Sequence, residues 1–284
     1  MPVSAGVTMV YNIGFAIACA VRRIPILVHH HSYSYLNNRS RSMAWLNQFL
    51  TEKDGHVFLS ETMRAAYDQQ YERKAKAIVL PNSFALSSNI VEHRSNSTSK
   101  ENLKIGHLSN LSIEKGLKTV LDAFAELRLR KENCELHLAG PVTGSPEQKL
   151  LLEAQERFGT SLKIHGPLYG EDKEAFFTSI DYFWFPSQYV NEAQPIVLVE
   201  ALAYGVPSIS IKRGCIEWLL GDAGIAASSD EQFIQIAVEQ ALLPTTDADQ
   251  LLARNRCKER FAKLREFEAI GFESAIGFLS EKLT

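Results

Sequence analysis

The sequence is short of most features that would mark a specialised class of protein. Its 284 residues include four cysteines, Cys19, Cys134, Cys215 and Cys257, none of them in a CxxC pair. That argues against a zinc ribbon, a dithiol redox motif and a disulfide framework. Four scattered thiols suit a reduced, cytoplasmic protein. Charge of either sign is also lacking in excess, with 30 Lys and Arg against 33 Asp and Glu, a formal net of -3. Such a balance gives no global reason to bind nucleic acid. No GxGxxG follows an apolar strand, which disfavours a dinucleotide oxidoreductase. No apolar run reaches the roughly 20 residues of a membrane span. Residues 7–20 are apolar, but Arg22 and Arg23 come after them, whereas a secretory signal carries its positive charge first. The run reads as a buried helix feeding a strand at 24–28. Peripheral contact with the inner face of a membrane is the one membrane association it leaves open.

What is present is 45% hydrophobic residues, enough for one large or two medium domains. Up to residue 86 the pattern is helix and strand in turn, with short apolar strands at 25–28, 56–60 and 77–80. Such runs suit parallel strands covered on both faces. Residues 87–102 are rich in Ser and Asn and read as an inter-domain linker. From 103 to 266 the alternation is regular. Strands are expected at 103–108, 135–139, 162–165, 182–185 and 207–211, and helices at 117–129, 146–158, 173–179, 196–204, 231–243 and 247–267. The fold class is therefore α/β, with doubly wound parallel sheets. A final helix over 267–284 is expected to pack back on the first domain. Ligands of such sheets bind beyond the carboxyl ends of the strands, so the loops there are where chemistry should sit.

The most informative loop runs from Pro186 to Pro207. A strand ends, a polar loop follows, and a helix starts near Pro195, a residue suited to a first helical position. The free amides and dipole at that end attract anions such as a diphosphate. Glu192 lies before the helix and Glu200 on its second turn, on the order of 7 Å along the axis. Two carboxylates so placed can accept hydrogen bonds from two ends of one extended ligand. Alone, Glu192 could equally be a solvated loop carboxylate. Glu200, among Leu198, Val199, Ala201 and Leu202, must face water or a ligand, because burying it unpaired is costly.

These residues resemble a known family. Glu-x7-Glu after a Pro-Ser strand end, followed by Glu-Ala-Leu-Ala-x-Gly-Val-Pro, is similar to the signature of family 4 glycosyltransferases, retaining enzymes of the GT-B fold with two Rossmann-like domains. The resemblance implies that Glu192 contacts the donor sugar and Glu200 the ribose, and that Gln194, Pro195, Ile196 and Val197 present backbone to the sugar and diphosphate. Ala193 stands where the family often has Gly. The segment from Ser109 to Gly116 resembles the family's Gly-Arg-Leu-x-x-x-Lys-Gly, whose two cations hold the diphosphate. Lys115 matches the lysine. Asn110 replaces the arginine and offers only amide donors; in another register His107 would contribute. Leu168, in the segment Gly166 to Gly170, matches the loop beneath the base, and Gly214 to Glu217 a pocket-closing turn in which Glu217 is read as structural. In the first domain Pro25 to His31 matches Pro-x5-His, making His31 the candidate near the reaction centre and His30 the next. Adjacent side chains on an extended strand face opposite ways, which argues against a three-histidine metal site, and the family needs no metal or other cofactor. Ser60 and Pro81-Asn82-Ser83 match a strand-end serine and a Pro-Asn-Gly turn.

The activity implied is transfer from a nucleotide-diphosphate sugar to a carbohydrate or lipid-linked acceptor. An inactive nucleotide-binding homologue and a sugar-nucleotide epimerase are the alternatives. Family members usually open with further βα units, on the order of 60 to 90 residues, before the Pro-x5-His strand. The first domain is therefore expected to be shortened, with an open sheet edge and an apolar helix face that favour self-association.

Overall fold

The structure is a computed structural model, and it describes residues 1–3, 8–73, 75–85 and 102–283. The expected linker, apart from Asn102, lies outside the described residues. In the first lobe, β1 (Pro2–Val3) and α1 (Thr8–Arg22) precede β2 (Leu27–His30). Then come α2 (Ser34–Asn37), α3 (Arg41–Phe49), β3 (Gly55–Phe58), α4 (Glu61–Gln70), β4 (Lys76–Val79) and a 3-10 turn at Asn82–Ala85. The four strands pair in parallel in the order β1-β2-β3-β4. β2 starts two residues later than expected, because Pro25 has no N–H for a ladder. The amide of Ile26 instead donates to the Asp54 side chain at 3.0 Å. β3 stops at Phe58, because Ser60 leaves the strand to cap α4 by accepting from Met63 N at 3.0 Å.

Met9 and Ala16 of α1 pack into a core with Val28, Met43, Leu46, Phe58 and Tyr67. The opposite face of α1 leaves Val10, Tyr11, Phe15 and Val21 exposed. No helix among the described residues is long and apolar enough to cross a membrane.

The second lobe contains β5 (Leu103–Leu108), α5 (Leu117–Arg128), β6 (Cys134–Ala139), α6 (Ser145–Phe158), β7 (Leu162–Ile164), α7 (Gly170–Ser179) and β8 (Tyr182–Phe185). It continues with α8 (Ile196–Ala203), β9 (Ser208–Ile211), α9 (Ile216–Leu220), β10 (Gly224–Ala227) and α10 (Asp230–Leu242). Its six parallel strands run β10-β9-β8-β5-β6-β7. The strand period of two sorts the side chains between two layers. Trp184, Ile209 and Leu136 join α5, α6 and α10 on one face, while Phe183, Phe185 and Ala139 join α7, α8 and α9 on the other.

The chain closes with α11 (Asp247–Leu283), one unbroken helix of 37 residues rather than two. At 1.5 Å per residue it is about 55 Å long, long enough to belong to both lobes. Cys257 and Leu264 are buried with α8 and α9, and Phe278 is buried with Val57, Ile78 and Leu80 of the first sheet.

Candidate functional site

The site is built at the carboxyl ends of β5 and β8. β8 delivers Pro186 and Ser187, and the loop after them returns Glu192 to the same place. Two glycines make that return possible. Gly116 has φ 87°, and a Cβ there would lie 2.2 Å from Pro186 O; Gly214 has φ 51°, and a Cβ there would lie 2.1 Å from Glu192 O. Only glycine takes such a conformation at such a distance without strain. The backbone amide of Gln188 donates to Glu114 O at 2.7 Å, which joins the loops after β8 and β5.

Glu192 is therefore not a solvated loop carboxylate. It is buried, and its Oε2 accepts from Lys115 Nζ at 2.6 Å and from the Ser187 hydroxyl at 3.0 Å. The same ammonium lies 4.7 Å from the centre of the Tyr189 ring, a cation–π contact. Glu192 and Lys115 come from positions 77 residues apart.

The second acidic residue has a different environment. Glu200 is 8% exposed, and its Oε1 accepts from Lys173 Nζ on α7 at 2.6 Å. Its Oε2 is buried and, among the described residues, has no hydrogen-bond partner. Burial raises the Glu200 pKa above the ordinary carboxylate value, and Lys173 opposes that rise.

α8 starts at Ile196, as expected. Pro195 stands outside the helix with ψ 123°, where its missing N–H interrupts no helical bond. Ile196 is 44% exposed, so the first turn of α8 opens to solvent between the two carboxylates, and Val197 is partly buried beside it. The Gln194 side chain turns to the other lobe. Its Oε1 accepts from the Asn82 amide at 2.6 Å, its Nε2 donates to Leu59 O at 3.2 Å, and Asn82 Nδ2 donates back to Gln194 O at 3.1 Å. Any donor contact at Gln194 thus falls to its backbone. Nearby, the Ser60 hydroxyl donates to Cys215 Sγ at 3.1 Å, and Asn37 Nδ2 donates to Val190 O at 2.5 Å. Burial pushes the Cys215 thiol up to about 12, which leaves it a packing group rather than a nucleophile.

Asn110 is exposed just beyond β5. His107 does not reach the site. It is fully buried, its Nδ1 donates to Trp184 O at 2.8 Å, and its Nε2 lies 2.8 Å from Ser109 Oγ. Burial lowers its pKa to about 4, so it is neutral and cannot stand in for an arginine. Leu168 is partly buried against α7 and α8, in the turn that leads into α7.

In the first lobe the strand period separates the histidines. His30 points into the core, with its Nδ1 2.9 Å from Tyr35 Oη and its Nε2 2.9 Å from His56 Nδ1. His31 is exposed at the end of β2, with its ring 3.9 Å from that of His29. Among the described residues no hydrogen bond or ion pair joins it to Lys115 or Glu192. None of their His, Cys, Asp or Glu residues form a group of three placed to hold a metal ion. Ser83 needs no left-handed backbone, since Arg23 is the one non-glycine described with positive φ. Its hydroxyl instead lies 2.9 Å from Glu268 Oε2 and 3.2 Å from Leu264 O, so it ties the turn to α11. Glu217 lies on the surface, paired with Lys212 at 2.5 Å.

A cavity of about 770 Å³ lies at the opposite end of the second sheet, beside Leu103, Tyr182 and Pro207. It is at the amino ends of the strands, away from this chemistry. Lys173 escaped the sequence reading. It lies 27 residues before Glu200, and no spacing rule connects positions that far apart in separate βα units.

Comparison with known proteins bears on the family and the fold. The sequence profile of the family described as glycosyl transferases group 1 matches residues 89–252. A lipopolysaccharide 1,2-N-acetylglucosaminetransferase of Salmonella typhimurium is 27% identical over 212 residues, 67% of this chain and 55% of that protein. An alpha-monoglucosyldiacylglycerol synthase of Streptococcus pneumoniae is 26% identical over 237 residues, 78% of this chain and 52% of its own length. The chain spans about half the length of these curated relatives. Among solved structures, Anabaena Alr3699/HepE in complex with UDP superposes with a TM-score of 0.69 at 22% identity, covering 95% of this chain and 77% of that one. That likeness establishes the two-domain α/β fold of GT-B glycosyltransferases. With the profile covering more than half of the sequence, the chain belongs to the glycosyl transferases group 1 family.

Proposed function

We propose that the chain is a retaining glycosyltransferase. It moves a sugar from a nucleotide-diphosphate donor to a hydroxyl of a carbohydrate or lipid-linked acceptor, in polysaccharide or glycoconjugate assembly. One observation carries this reading: the open first turn of α8 lies between a lysine-paired, hydroxyl-supported Glu192 and a buried Glu200 with one unfilled oxygen. The amides of that turn suit a diphosphate, and Lys115 is the cation beside it. The names of the curated relatives, a lipopolysaccharide N-acetylglucosaminetransferase and a glucosyldiacylglycerol synthase, support the acceptor class.

In this reading donor binding draws Lys115 toward the diphosphate and frees Glu192 Oε2 for the sugar hydroxyls. Glu200 accepts from the ribose, and Leu168 packs beneath the base. His31 approaches from the other lobe on closure. The acceptor oxygen attacks the anomeric carbon on the face that the phosphate leaves. The carbon–oxygen bond to phosphate breaks with its electron pair going to phosphate, and a phosphate oxygen takes the acceptor proton. No protein nucleophile is needed, and no metal. Catalysis then rests on positioning and on charge stabilisation by Lys115 and the helix amides.

Thermal-shift titration with UDP-, ADP- and GDP-sugars tests the donor site. A ligand at 100 times its Kd stabilises by about 2.7 kcal/mol, or roughly 5 °C for a chain of this size. The accepted donor should shift the wild type and shift Lys115→Ala and Glu200→Ala far less. Equal shifts in all three proteins would remove the donor site from this place.

A further inference from the structure

We propose that Lys173 is a positioning residue for the nucleoside half of the donor, selecting which oxygen of Glu200 meets the ribose. The inference rests on the donor-site reading above and extends it to a residue outside the family-like motifs. Lys173 Nζ holds Glu200 Oε1 at 2.6 Å, while Oε2 is buried and unfilled. A buried carboxylate oxygen without a partner is costly unless a ligand supplies the donor. Glu200 is 92% buried, which makes the free oxygen a fixed feature rather than a rotamer open to water. The lysine fixes the carboxylate plane by taking one oxygen, and the other is left as an acceptor pre-set for a hydroxyl. A point-charge ammonium suits that task better than a guanidinium fork, which would engage both oxygens.

The location of Lys173 extends the argument. It lies on the first turn of α7, immediately after the Gly166–Gly170 turn that carries Leu168. That turn is set by two glycines with φ of 70° and 49°. The Lys173–Glu200 pair therefore links the segment beneath the base to the acceptor for the ribose. A nucleotide that fits one side finds the other already placed, which lowers the ordering cost of binding. Lys173 itself is half-buried, and the ion pair it makes among the described residues is with Glu200, so its effect should appear as selectivity for the ribose hydroxyls.

The test measures binding of UDP, ADP and GDP by calorimetry, and of the 2′,3′-dideoxy analogue of the one that binds. Wild type, Lys173→Met, Lys173→Gln, Glu200→Gln and the Lys173→Met/Glu200→Gln double variant are compared, with melting curves to confirm folding. Loss of a charge-assisted contact should weaken the ribonucleotide about tenfold in either Lys173 variant. The dideoxy analogue should change less than about twofold, because it lacks the hydroxyls that meet the carboxylate. In the Glu200→Gln background, Lys173→Met should add nothing. Equal weakening of both nucleotides, or an added loss in the double variant, would overturn the positioning role and make Lys173 a general structural contact. Wild-type affinity for UDP lost in Glu200→Gln but kept in both Lys173 variants would overturn the inference and leave the donor site standing. No binding of any nucleotide by the wild type would remove both.

Discussion

Two lysine–glutamate pairs stand on either side of the start of α8, and they are not equivalent. In the pair made by Lys115 and Glu192, one carboxylate oxygen holds both the ammonium and the Ser187 hydroxyl, and the cation also rests on Tyr189. In the pair made by Lys173 and Glu200, one oxygen is held and the other is empty. The first pair is satisfied internally, whereas the second leaves one buried oxygen unpaired among the described residues. Under the proposed donor-site reading, the first pair would exchange partners as a diphosphate departs, and the second would gain one.

Breaking the exchanging pair should give the largest effect. Glu192→Ala removes the acceptor for the sugar and leaves Lys115 without its partner, so kcat with the accepted nucleotide sugar should fall about 10²- to 10³-fold. Nucleotide affinity should change far less, which a comparison of kcat with calorimetric Kd would show. Unchanged kcat would place sugar recognition elsewhere.

Changing the fixed pair should cost binding and return stability. Glu200→Gln should weaken the nucleoside diphosphate about tenfold. Burial raises the Glu200 pKa in the folded state, so folding favours the protonated carboxyl. The stability contribution of that group is complete below the ordinary carboxylate range and is lost as pH rises through the raised value. The glutamine variant should therefore melt higher than wild type at pH 7, with the advantage shrinking on acidification. Wild-type nucleotide affinity should fall over the same range as the carboxylate protonates. A wild type that melts at or above the variant at pH 7 would contradict the buried ionised state.

The smallest effect sharpens the comparison by loosening the loop that both pairs share. Gln194→Ala removes two hydrogen bonds to the other lobe, each worth about 1 kcal/mol, and should lower Tm by roughly 3 to 4 °C. Nucleotide binding to the second lobe alone should persist. An unchanged Tm would mean that the lobes do not depend on this link.

Much of this was legible in the sequence because the signals are local. Strands such as 103–108 and 182–185 are continuous apolar runs, and the helices between them carry clear periodicity. The spacing of Glu192 and Glu200 placed one just before a short helix and the other on it, and the resemblance of the Ser109–Gly116 segment to a family motif led to Lys115. Other features depend on long-range packing. β1 is two residues long, and Gly224 to Ala227 of β10 have little apolar bulk to announce a strand. α11 looked finished near Phe267, because Gly271 and Gly277 lower the helical signal there. His107 looked available from its place beside the Ser109–Gly116 segment, but β5 buries it. The side chains that join the lobes, Gln194 to Asn82 and Ser60 to Cys215, are polar residues whose partners lie more than 100 positions away.

The continuity of α11 bears on how the molecule comes apart. A rod with Leu264 seated in one core and Phe278 in another cannot lose its seat at one end without weakening its hold at the other. Melting of either sheet strips apolar cover from the helix and, through the helix, from the second sheet. Thermodynamically the two lobes share one structural member, so heat should take them down together in a single cooperative step.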